Sequence, residues 1–154
     1  MNATRCTRQS GVGMLEVLIA VLIVSIGFLG MAALQAKALS TNNSAMARSM
    51  ATVATYSILD AMRSDQVQAE AGSYNGEVIA NACPAAQPGT SLASVQLSQW
   101  CTQLGQALGA VATTTGTILC GDLGNCTITI AYDDSRAGKI KGTGTQTVVT
   151  NAGL

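Results

Sequence analysis

The sequence predicts an α+β fold, in which a long N-terminal helix, membrane-spanning in its first half, carries a small antiparallel β-sheet head on its distal half. Three observations predict it. Residues 17–34 form an apolar run without a single charge. No proline occurs before Pro84, so nothing in the first half of the chain breaks a helix. Beyond Asp65 the composition shifts to Gly, Ser, Thr, Asn and Gln, interrupted by short alternating apolar runs and by four cysteines.

The apolar run comes first. A helix needs about 20 apolar residues to cross a bilayer core of about 30 Å, and Met14 and Leu15 extend the run towards that length. The flank "MNATRCTRQSG" carries Arg5 and Arg8 with no acid before Glu16. The positive-inside rule therefore holds the N-terminus in the cytoplasm and sends everything after Lys37 outward. Small residues in "GMAALQAKALS" also suit a cleaved secretory signal, but such a signal has an apolar region of about 7 to 15 residues, and this run is longer.

Glu16 is the one carboxylate at the front edge of that run. A carboxylate inside a bilayer costs a few kcal/mol at the centre and less near an interface. A glutamate at headgroup level is the simplest reading, and Gly11, five residues earlier, supplies another. A cut after Gly11 would make Val12 the new N-terminus and Glu16 the fifth residue. About one helical turn would then separate the new ammonium from the carboxylate. Such a pair is satisfied within one chain or, in a correctly registered neighbour, between two.

The second half of the helix follows from "QAKALSTNNSAMARSMATVATYSILDAMRS", rich in the helix formers Ala, Met and Leu. Leu39, Met46, Met50, Val53, Ser57 and Ala61 fall on one stripe at helical spacing and read as a core face. Residues 12–64 then make a single helix near 80 Å long at about 1.5 Å per residue. Gly27 and Gly30 allow it to bend or pack closely, and "STNNS" is its weakest stretch.

In the head, "CPAAQPGTS" is a turn region. Leu97, Trp100, Leu104 and Leu108 define one face of a short helix. "TTGTILC" and "CTITIAY" read as strands joined by the turn-prone "GDLGN", and "GTQTVVTN" as a last strand after the polar "DDSRAGKIKG". A sheet laid on the distal helix buries both apolar faces.

Net charge is zero and only 10% of residues are charged, which argues against an electrostatic nucleic-acid binder. The chain has no histidine, so Ser-His-Asp and Cys-His catalysis have no general base, and no enzyme is expected. With no CxxC pair either, zinc is not expected. Asp133 and Asp134 supply too few oxygens for calcium and read as solvated. No cofactor is expected.

Together, "SGVGMLEVLIAVLIVSIGFLGMAALQ" resembles the class III signal and N-terminal helix of type IV pilins: a short basic leader ending in glycine, an apolar mature start, and glutamate at the fifth mature position. The continuation from Glu16 is similar to the minor pilins of the PilV type, the type IV pilus modification proteins. In the head, Cys83, the Leu97 and Trp100 pair, and Tyr132 with Asp133 match the same pattern, with Tyr132 in place of a common tryptophan and Gln96 in place of a frequent acid.

The resemblance implies four segments: a leader at 1–11, an apolar transmembrane and assembly helix at 12–36, an amphipathic helix at 37–64, and a disulfide-containing head at 65–154. It implies cleavage by a prepilin peptidase between Gly11 and Val12, N-methylation of Val12, and a docking role for Glu16. Implied partners are other minor pilins, the major pilin and the inner-membrane assembly platform. The implied location is a single-pass inner-membrane protein with a periplasmic head, passing into an extracellular pilus of a Gram-negative bacterium. A minor pseudopilin of type II secretion shares these signals, and a single-span anchored binding domain that never assembles shares the helix alone.

Cys6 falls in the leader, which leaves Cys83, Cys101, Cys120 and Cys126 in the mature chain. Four cysteines in an exported domain favour disulfides, with three possible connectivities. Cys83 with Cys101 and Cys120 with Cys126 are expected, because each closes a local loop around one recognisable element.

Overall fold

The computed structural model describes residues 11, 13–86, 89, 91–121, 124–135 and 144–154. Its order is α1 (Met14–Ser64), α2 (Gln66–Glu70), β1 (Gly76–Ile79), α3 (Leu92–Leu108), β2 (Thr115–Cys120), β3 (Asn125–Asp133) and β4 (Thr145–Gly153). The fold is α+β, with a long N-terminal helix and a four-stranded antiparallel sheet in the order β1-β2-β3-β4. The chain divides into two compact units between Leu39 and Ser40, inside α1.

In the first unit, α1 is apolar and exposed along its length, and it is long and apolar enough to cross a membrane. Ser25 turns its hydroxyl back on the Val21 carbonyl at 2.7 Å, which spares the apolar run a free polar group.

In the second unit, α1 continues without a break through "STNNS". It presents Ala51, Ala54, Thr55, Ile58, Leu59 and Met62 to the core, all buried. This corrects the sequence expectation for the helix's core face. Leu39, Met46, Met50 and Val53 lie outward, 37–62% exposed, Ser57 is exposed and Ala61 half-buried. Ala51 and Ala54 give that face room for close approach, and Ile58, Leu59 and Met62 fill the core beside them.

The helix stops at Ser64, where the Ser64 hydroxyl caps the Ala61 carbonyl at 2.7 Å. Two elements went unforeseen, α2 and β1, both too short for periodicity to register. Gly72, with φ +79°, makes the turn between them. α3 opens on a Ser91 side chain accepting from the Ser94 N–H and closes at Gly109, with φ +105°.

The strands alternate as the pattern requires. Ile128, Ile130 and Tyr132 of β3 face inward and are buried, while Thr127, Thr129 and Ala131 face out. Ile118 and Gly116 of β2 join the inner face, where Trp100 and Leu104 of α3 pack. Fully burying each such isoleucine contributes about 1.5–3 kcal/mol.

Candidate functional site

Glu16 lies in the first turn of α1, where the partial positive charge of the helix N-terminus favours a carboxylate. Its backbone N–H donates to the Gly13 carbonyl at 2.9 Å, and the Val17 N–H reaches the same oxygen at 3.3 Å. The helix thus nucleates on Gly13, immediately after the Gly11–Val12 segment. Gly11, the expected cleavage position, is exposed. Val12, the expected methylation site, lies outside the described residues, as do Arg5, Cys6 and Arg8.

From Val17 to Leu34 the helix offers apolar surface on every side. Gly27 and Gly30 have nothing within 4 Å of where a Cβ would stand.

The second unit presents a rigid head. Cys83 pairs with Cys101, tying the segment after β1 to α3, and Cys120 pairs with Cys126 across the β2–β3 hairpin. Trp100 donates its indole N–H to the Ala54 carbonyl at 2.9 Å, a buried bond fastening α3 to α1. The ring sits against Gly116 so closely that a Cβ there would lie 2.4 Å from Cη2. Sequence reasoning placed Trp100 on a core face but missed this pairing; a lone glycine inside the strand pattern "TTGTILC" was the available signal.

Tyr74 is fully buried and joins three segments. Its hydroxyl donates to Asp65 Oδ2 at 3.2 Å and also meets the Gln96 side-chain amide. A hydroxyl has one proton, so a Gln96 amide turned to present its NH2 satisfies the remaining lone pair. Burial first, then the Asp65 charge and hydrogen bond, push the Tyr74 phenol up to about 12. Tyr132 is also raised, by burial and then by Asp134, while Arg48 pulls the other way.

Asp133 and Asp134 are engaged within the head. Asp134 accepts from the Ser44 hydroxyl at 2.5 Å, joining the end of β3 to α1, and Asp133 accepts from the Ser135 N–H. Among the described residues no three His, Cys, Asp or Glu side chains cluster as a metal would require.

Comparison with protein-family models, with curated proteins and with solved structures finds no match for this chain.

Proposed function

We propose that this chain is a minor pilin, which assembles with other minor pilins to prime type IV pilus biogenesis near the filament tip and thereby supports adhesion and twitching motility. The observation that carries the reading is the placement of Glu16: five residues after an exposed Gly11, in the first turn of a helix whose apolar surface its own unit leaves uncovered.

The mechanism is packing and not catalysis. Cleavage after Gly11 removes the basic leader and creates an ammonium at Val12, then methylated, about one turn from Glu16. In the membrane that carboxylate is costly until a cation meets it. A neighbouring subunit's N-terminus meets it only in one axial register, so the charge pair selects the correct stagger while apolar surface supplies affinity. The head, stiffened by two disulfides, stays in the periplasm and then on the extracellular filament.

The test is Glu16→Ala in the native host. Pilin function requires loss of the chain from sheared pili while its membrane level is kept. Undiminished incorporation would defeat the reading, and a wild-type chain confined to the cell envelope would favour a secretion pseudopilin.

A further inference from the structure

Asn75 and Gly76 form the chain's one Asn-Gly dipeptide. This is the pair most prone to lose its amide, because a residue without a Cβ leaves its backbone nitrogen open to attack the side-chain carbonyl carbon before it. In the head both groups are held.

Gly76 opens β1, and the bonds of that ladder alternate. The Ala80 N–H donates to the Thr114 carbonyl at 2.9 Å. Carried through the register, that bond makes Val78 with Gly116, and Gly76 with Ile118, hydrogen-bonded pairs. The Gly76 nitrogen is thus engaged in the sheet. Glycine is called for at this position by the backbone, since φ is +144°.

Asn75 extends the same ladder with its side chain. The next pair in the register would be residue 74 with Cys120, but Tyr74 is buried in the core. The Asn75 amide stands in for it. Its Nδ2 donates to the Cys120 carbonyl at 3.2 Å, and the Cys120 N–H donates to its Oδ1 at 2.8 Å. An amide offers donor and acceptor together, as a peptide group does. The Asn75 backbone N–H in turn donates to the Gly72 carbonyl at 3.0 Å and closes the turn before β1. The fold therefore uses the labile pair in this order, an amide at 75 and a glycine at 76.

We propose that Asn75 is a deamidation site that the folded head keeps closed and that converts once β1 parts from β2. The Gly76 nitrogen gives up its proton and attacks Asn75 Cγ, the side-chain NH2 leaves as ammonia, and water opens the cyclic imide at either carbonyl. The products are aspartate and isoaspartate. An aspartate accepts from the Cys120 N–H but has nothing to donate to the Cys120 carbonyl. An isoaspartate routes the main chain through Cβ and Cγ, which lengthens it just ahead of Gly76 and displaces the pairing with Ile118. Opening of this sheet end is therefore recorded irreversibly. The inference rests on the head alone and holds whether or not the chain enters a filament.

The test incubates the detergent-solubilised full chain in mildly alkaline buffer, folded and in urea. Mass spectrometry of the peptide containing Asn75 follows conversion and separates the two products. Conversion passes through the open fraction only, so it should be about tenfold slower or more in the folded chain. Equal rates would overturn the proposal. After urea is removed, unconverted chains should recover slow hydrogen exchange in β1. Converted chains, and Asn75→Asp never exposed to urea, should exchange there about fivefold faster, as the loss of one hydrogen bond gives. Exchange in both equal to that of the unconverted chain would overturn the proposed consequence of conversion.

Discussion

Gly116→Ala tests how the head is held to α1. The added Cβ would stand 2.4 Å from Trp100 Cη2, 2.7 Å from Trp100 Cζ3 and 2.7 Å from Leu104 Cδ1. Carbon atoms rest about 3.5–4.0 Å apart, so the indole must move by about 1 Å. Overpacking of this kind costs about 1–3 kcal/mol. Trp100 cannot shift that far and keep its 2.9 Å bond to the Ala54 carbonyl, and an orphaned buried N–H adds about 1–3 kcal/mol. Removing a glycine from a strand returns about 0.5–1 kcal/mol. The net expectation is a loss of about 3 kcal/mol. Urea unfolding of the detergent-solubilised full chain, followed by fluorescence of its one tryptophan, measures this directly. The folded-state emission should also shift as the indole leaves its pocket. A loss under about 0.5 kcal/mol with unchanged emission would refute the argument, because the Trp100 contact would then not be tight.

Three further outcomes are expected. Thr114 is fully buried with its Oγ1 unpaired, so Thr114→Val should stabilise the head by about 1 kcal/mol; a destabilised variant in the same urea experiment would contradict this. Removing Cys83–Cys101, with a separation of 18, should cost about 3 kcal/mol, against about 2 kcal/mol for Cys120–Cys126, with a separation of 6, from loop-closure entropy; paired serine variants give the order, and its reversal would count against the entropic account. The raised Tyr74 phenol favours the protonated folded state. Its contribution is complete below the ordinary tyrosine value of 10.0 and is lost as pH rises through about 12, since the unfolded chain releases its proton first. Stability should therefore fall across that window and fall less steeply in Tyr74→Phe; an equal slope in both would remove Tyr74 from the explanation.

Sequence reasoning reached the elements that carry strong, long signals. The helix through Ser64 follows from a proline-free, Ala- and Met-rich run, and the β2–β3 hairpin from alternation on either side of "GDLGN". What it missed was short or two-sided. β1 buries only Val78, a single residue from which no period can be read. The distal half of α1 has apolar residues on both faces, so spacing alone could not say which one packs; the face with Ala51, Ala54, Ile58, Leu59 and Met62 is the one buried. Gly11 and Glu16 were legible as a spacing, since a lone acid before an uncharged run stands out in any reading. The Tyr74, Asp65 and Gln96 junction was not, because its members are far apart in sequence and meet only through tertiary structure.

The N-terminus is read by mass spectrometry of the membrane-extracted chain, with intact and N-terminal peptide masses from strains with and without prepilin peptidase. A chain beginning at methylated Val12 is expected when the peptidase is present, and retention of residues 1–11 when it is absent. Residues 1–11 attached in both strains would contradict it, and would leave Glu16 as the interfacial carboxylate of a single-span anchor.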